Sequence, residues 1–379
     1  MTSSCSGFGS STVQRTPLIA QHRAAGAKLV DFAGWEMPIH YTGVVDEYHT
    51  VRSKAGLFDV SHMGRIVVTG SGAEAFLQRL TTNDLAALRP MQAQYSMVCN
   101  EQGGIKDDIF VYRLAKAGEF LLCVNASNRH KIVSWLTEHS REVPDCQVSD
   151  RSAEIAQIAL QGSAARAIVA ALGLSQLDQL KLRESTTVRV AEVECLAART
   201  GYTGEFGYEF YVYGQADAVW STLLNTGQSF GLKPAGLGAR DLLRLEMGYL
   251  LYGNDIDERT TPIEAGAEWV VRFEKGDFVG KHVLLSQKQA GPPRRLVGFE
   301  LLEKGVPRHG FKILSASSPQ SPIGEVTSGN LSPLLQKGIG LGYVLPEYAK
   351  LGTDLFIDIR GKAVPAKVVK PAFYRHSST

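Results

Sequence analysis

At 379 residues, with 44% hydrophobic and 21% charged residues, the chain is long enough for two or three globular units and too apolar to be disordered. Forty basic side chains against 38 acidic ones leave a net charge of +2, which rules out the electrostatic footprint of a sequence-independent nucleic-acid binder. Apolar runs such as residues 120–124 are far shorter than the roughly 18 residues that span a bilayer, and five scattered cysteines without a C-x-x-C pair argue against a disulfide framework or a zinc site. The expectation is a cytoplasmic protein with reduced thiols, or a mitochondrial matrix protein if the source is eukaryotic.

Residues 1–15 are rich in Ser and Gly and lack the apolar stretch of a secretory signal, so they read as a flexible N-terminal tail. A β-branched run at 65–69 predicts a strand, and the spacing of Ala75, Phe76, Leu77 and Leu80 predicts a helix over 73–80. Strands follow at 94–99, 107–113 and 120–125, the last two as an antiparallel hairpin. Helices at 128–139, 164–172 and 217–224 are interleaved with strands at 155–161, 188–200 and 208–213, an α+β pattern without repeated βαβ units. A breaker cluster over 289–295 places a boundary between a region at 16–288 and a last unit at 289–379. Strands near 295–302, 324–327, 338–344, 354–359 and 363–369 make that last unit a small antiparallel barrel.

Nucleotide motifs fail. Gly70-Ser71-Gly72 opens a predicted helix, but Ala75 stands where a dinucleotide fingerprint needs its third glycine, and no phosphate-binding loop is present. None of the nine histidines falls in an H-E-x-x-H pattern, and His62 is expected to be a hydrogen-bonded structural residue. Two aspartates, Asp107 and Asp108, open an apolar strand after Gly103-Gly104. Strand alternation sends them to opposite faces, so the expectation is that they do not form a coupled dyad; turn aspartates bonded to local backbone are the plain alternative. In residues 199–211 three glycines and three tyrosines surround Glu209, whose carboxylate suits an amidine-like edge such as that of a pterin, unless the segment is an ordinary aromatic hairpin. Arg240 sits near the start of a predicted helix, where the dipole disfavours a cation, and so binds an acceptor-rich ligand or pairs with Asp241.

Six segments together resemble the glycine-cleavage T-protein (aminomethyltransferase) family: VDFAGWEMPIHY at 30–41, VRSKAGLFDVSHMG at 51–64, GGIKDDIFVYR at 103–113, RTGYTGEFGYE at 199–209, PAGLGARDLLRLEMGYLLYGNDID at 234–257 and EVTSGNLSP at 325–333. The resemblance runs from about residue 16 to about 375. It implies a three-unit cloverleaf around a central channel, with a two-part α+β folate-binding region and a C-terminal barrel. It implies transfer of the aminomethyl group from the lipoyl arm of H-protein to tetrahydrofolate, giving 5,10-methylenetetrahydrofolate and ammonia. Tetrahydrofolate is then a co-substrate, and no metal, flavin or nucleotide is expected. H-protein and the other glycine cleavage proteins are the implied partners, with no nucleic acid or membrane, and an acidic H-protein would meet Lys and Arg at the channel mouth.

By motif, Asp108 matches the family's essential aspartate and Asp107 becomes structural. Tyr95, Glu209, Arg240 and Tyr249 match positions around the pterin and its linker, and Tyr374, in the C-terminal Phe373-Tyr374-Arg375, follows the family's habit of ending near the folate tail. The segment 58–64 is expected to form the cavity floor, with Met63 as packing. Residues 179–183, QLKLR, depart from relatives that carry tyrosine at a folate-lining position. The same architecture serves folate-dependent demethylases, sarcosine-type oxidases with an added flavin domain, and a non-catalytic folate-binding relative. Asp108 argues against the last of these, and a demethylase of a small methylated metabolite is the main alternative.

Overall fold

The computed structural model describes residues 13–317 and 321–374. The expected tail at 1–15 thus lies outside the described residues as far as residue 12. Strand Gln14–Arg15 already pairs with Trp35–His40, which pairs in turn with Lys28–Phe32.

Two larger sheets follow. The first has five strands in the order Gln92–Cys99, Ile105–Arg113, Glu119–Val124, Gly64–Thr69, Gln147–Asp150, every neighbour antiparallel. Helix Ala73–Leu80 lies where its spacing predicts, with Phe76, Leu77 and Leu80 packed against Ile66, Val68, Ile109 and Val111. The second sheet has six strands, Ser185–Val190, Val193–Ala198, Gly207–Tyr213, Ile155–Gln161, Ala55–Asp59 and Leu232–Pro234, and only the last pair is parallel. Helix Ala216–Gly227 closes its outer face through Val219, Trp220 and Leu223.

The predicted single strand over 188–200 is in fact a hairpin, because Ala191 and Glu192 both adopt positive φ, 49° and 61°. A two-residue turn of that kind normally announces itself by Asn or Gly, and here neither is present. Strand Ala55–Asp59, in the interior of the second sheet, also went unpredicted; it is only five residues long and follows helix Val44–Ser53 after one residue.

After helix Lys281–Ala290 the chain forms a closed antiparallel barrel of six strands: Arg295–Leu301, Lys337–Val344, Pro322–Ser332, Lys312–Ser315, Asp354–Ile359 and Lys362–Val369. The strand absent from the sequence reading is Lys312–Ser315, four residues that run into a Ser-rich stretch. The α+β class and the C-terminal barrel are as expected.

The barrel is tied to the rest through helix Leu237–Glu246. Its buried Arg244 donates to Asp255 Oδ2 at 2.9 Å and to Ser328 Oγ of the barrel at 2.9 Å. From the barrel, Thr327 Oγ1 reaches Asp255 Oδ1 at 2.6 Å and Tyr343 Oη reaches the Asp255 carbonyl at 2.8 Å. Glu246, on the same helix, accepts from Tyr48, Arg52 and Ser332. Among the described residues no helix is long and apolar enough to cross a membrane.

Candidate active site

Both large sheets and the barrel contribute to one cavity of about 1180 Å³. Tyr95, Asp108, Glu209, Arg240 and Tyr249 all line it, so five of the six candidate residues meet in one place. Tyr374 is not among the lining residues. Its ring lies over the Arg52 guanidinium at 4.3 Å, and its backbone N–H donates to Glu246 O. Arg375 lies outside the described residues.

The two aspartates owe their position to the turn before them. Gly103 has φ +78°, and a Cβ on Gly104 would stand 1.9 Å from Glu258 O, so both positions demand glycine. The strand that follows alternates: Asp107, Ile109 and Val111 are buried, while Asp108 and Phe110 face the cavity. The expected separation of faces is therefore present, yet the two carboxylates are coupled. Pairing of Phe110 with Cys123 carries Asn125 to the place across from Asp108, and its Nδ2 donates to Asp108 Oδ1 and to Asp107 Oδ1, both at 2.8 Å. Asn128 Nδ2 at 2.6 Å and the Asn125 backbone N–H at 3.0 Å complete the shell of Asp107, whereas Asp108 Oδ2 accepts from Tyr95 Oη at 2.9 Å. Alternation decides where the side chains point; it does not prevent one amide at the strand end from bridging them.

Burial lifts both carboxyl groups, Asp108 to about 6, and the charge of Asp108 lifts Asp107 further. The Tyr95 and Asn125 hydrogen bonds oppose the rise at Asp108. Burial, and next the Asp108 charge, raise the Tyr95 phenol well above its usual value, so it stays a donor. If the ionised Asp108 is the working form, kcat/KM is expected to fall as pH drops through about 6; a flat profile from pH 5 to 8 would count against a role for its charge. The stability sign is opposite. Both folded-state values exceed the unfolded one of roughly 3.9, so the protonated pair favours folding below about pH 4 and this contribution is lost as pH rises through the folded values.

Also lining the cavity, Glu209 lies on strand Gly207–Tyr213 and is 8% exposed. It accepts from Gln157 Nε2 at 3.3 Å and from Thr200 Oγ1. Arg240 does not pair with Asp241, whose carboxylate takes Arg244 Nε at 2.8 Å instead. The Arg240 guanidinium lies 4.6 Å over the Tyr202 ring, and its Nη1 is buried without a hydrogen-bonding partner among the described residues. Tyr202 stacks in turn on Tyr249, centroids 5.7 Å apart. The cavity lining thus offers acceptors at Glu209, a cation with an unused donor at Arg240, and flat aromatic surfaces at Tyr202 and Tyr249.

A family model described as the GCVT N-terminal domain matches residues 18–275, and the glycine cleavage T-protein C-terminal barrel domain matches residues 294–375. The chain belongs to the glycine cleavage T-protein family. It is 46% identical over 362 residues to an aminomethyltransferase of Halothermothrix orenii, covering 95% of this chain and 100% of that one. It is equally 46% identical over 366 residues to an aminomethyltransferase of Bacteroides thetaiotaomicron, covering 95% and 99%. Among solved structures, the glycine cleavage system aminomethyltransferase T of Bartonella henselae superposes with a TM-score of 0.89 at 36% identity, covering 96% of this chain and 98% of that one. Folate-dependent aminomethyl transfer is the activity of this T-protein family.

Several cavity residues of this T-protein relative escaped the sequence reading. Asn125 and Gln157 had no motif to mark them; a polar residue within or just after an apolar strand run was the only signal. Within the 58–64 segment expected to form the cavity floor, His62 and Met63 line the cavity, but His62 Nδ1 is buried without a partner among the described residues, contrary to the hydrogen-bonded structural role expected of it. In the departing 179–183 segment, Leu182 and Arg183 line the cavity, and Arg183 lies 5.6 Å over Trp269, which stacks on Tyr95.

Proposed function

We propose that this chain passes the aminomethyl carbon from the lipoyl arm of H-protein to tetrahydrofolate, yielding 5,10-methylenetetrahydrofolate and ammonia, without a metal, flavin or nucleotide of its own. The observation that carries this reading is Asp108: a cavity-facing carboxylate held by Tyr95 and Asn125 in a cavity that Glu209 and Arg240 also line. Such a fixed negative group can hold or take the proton of the attacking folate nitrogen and oppose the positive charge that develops as ammonia leaves. Glu209 suits the N–H edge of the pterin, Tyr202 and Tyr249 its flat face, and Arg240 an acceptor of the folate. A cavity of about 1180 Å³ exceeds what one drug-sized ligand needs and leaves room for an arm entering from outside. We assign folate binding to the two-part region 16–288, with 289–379 closing the cavity from the barrel side; Arg183 and the exposed Arg308 supply positive charge at its wall for an acidic carrier.

The test measures methylenetetrahydrofolate formed from tetrahydrofolate and aminomethylated H-protein, beside H-protein without the aminomethyl load. Product with the loaded carrier alone is expected. Folate binding without turnover would instead favour a demethylase or a binding relative.

A further inference from the structure

His62 stands out because the polar side chains of its own turn, Asp59, Ser61 and Arg65, are already engaged. Asp59 takes Ser61 N–H at 2.8 Å and His22 Nε2 at 2.8 Å, and Ser61 Oγ bonds the Gln157 backbone. Arg65, itself 1% exposed, donates to the carbonyls of Ser61 and Met63 on either side of His62 and to Ile155 O and Ser152 O on the neighbouring segment. A guanidinium spent wholly on backbone carbonyls fixes the 61–63 turn, and that turn presents His62 to the cavity.

The His62 side chain has no hydrogen bond among the described residues, though the residue is only 3% exposed. An imidazole this deep without a partner is unfavourable unless something else supplies one. Burial, and next the Arg240 charge, push it down to about 3, so it is neutral near pH 7. Of the two ring nitrogens, Nδ1 is the one that is both buried and unpartnered. A lone pair is less costly than an N–H in such a place, so the proton sits on Nε2, the nitrogen left to the cavity. Arg240, whose charge acts on His62, lines the same cavity, and its Nη1 is a second buried donor without a partner among the described residues. Two idle donors from different segments that line the same cavity can share one acceptor.

Sheet order fixes what lies beside them. Val60 N–H donates to Gln157 O, Gln157 pairs with Tyr211, and the Gln157 side chain reaches Glu209 on that next strand. Acceptors at Glu209 and donors at Arg240 and His62 therefore share one wall, complementary to a ligand edge that carries N–H donors followed by a carbonyl. Building on the tetrahydrofolate reading above, we propose that His62 Nε2–H, together with Arg240, receives the C4 carbonyl oxygen of the pterin, and that this pair selects 4-oxo over 4-amino pteridines while Glu209 takes the adjacent N–H edge.

The test compares binding of tetrahydrofolate and its 4-amino analogue, which presents a donor where the carbonyl stood, to the full chain by calorimetry. The wild type is expected to bind the analogue at least about a hundredfold more weakly. His62→Ala is expected to weaken tetrahydrofolate binding about tenfold and to narrow the discrimination to about tenfold, while His62→Gln, which keeps a donor, restores part of it. Should His62→Ala fail to fold, His62→Phe, a ring without a donor, carries the same comparison. A purely structural His62 would lower both affinities alike, so an unchanged ratio in the variant overturns the assignment, as does a wild type that binds both ligands equally. Absence of tetrahydrofolate binding to the wild type would sink the underlying reading as well.

Discussion

Asp108→Asn is expected to lower turnover by about a hundredfold or more, while tetrahydrofolate binding stays within about tenfold and the fold is kept. The neutral amide removes the charge that faces the cavity but leaves its hydrogen bonds nearly intact. Asn125 Nδ2 can still donate to the amide oxygen, and the Tyr95 hydroxyl, which now donates to Oδ2, can rotate and accept from the amide nitrogen. Asp107→Asn is different. Its carboxylate accepts from three N–H groups, Asn125 N, Asn125 Nδ2 and Asn128 Nδ2; the backbone N–H cannot reverse its role, and Asn125 Nδ2 is tied to Asp108 as well. An amide there sets N–H against N–H in a fully buried place, at about 1–3 kcal/mol. The variant pair should therefore separate: Asp108→Asn loses kcat with an unfolding midpoint like that of the wild type, while Asp107→Asn loses stability and a smaller part of kcat through displaced Asn125. Steady-state kinetics beside thermal unfolding checks this. Equal kcat losses with equal midpoints would mean that the two carboxylates do the same work.

Arg244→Met should destabilise the protein by about 3–5 kcal/mol, the range for removing one partner of a buried ion pair. Arg244 is 2% and Asp255 0% exposed, and the guanidinium is shared among Asp241, Asp255, the Tyr249 carbonyl and Ser328. Without it, Asp255 keeps Leu251 N–H and the Thr327 hydroxyl but loses its counter-charge. Because Ser328 and Thr327 belong to the barrel, the loss should also loosen the barrel from helix Leu237–Glu246, and the cavity with it. Thermal and urea unfolding should show an earlier transition, and Arg244→Met combined with Asp255→Asn should recover part of the loss, since the orphaned charge is then gone. An unchanged midpoint in the single variant would show that the junction is held by packing alone.

Much of this was local enough to read from the chain. The period-3.6 spacing of Phe76, Leu77 and Leu80 gave the helix Ala73–Leu80, and the period-2 alternation after Gly104 put Asp107 and Asp108 on opposite faces, with the family motif marking Asp108 as the one at the site. The family motifs gathered five of the six candidate residues into one cavity. Tertiary structure decided the rest. Asn125 couples the two aspartates because the hairpin register brings it across from Asp108, a distance of 17 residues along the chain that no local spacing encodes. Asp241 turned to Arg244, three residues on, leaving Arg240 Nη1 idle. His62 lost its expected structural partner because Arg65, Asp59 and Ser61 take up the hydrogen bonds of the turn around it. Spacing along a chain fixes which way a side chain points, but which group it meets depends on the register of strands and the approach of segments far apart in sequence.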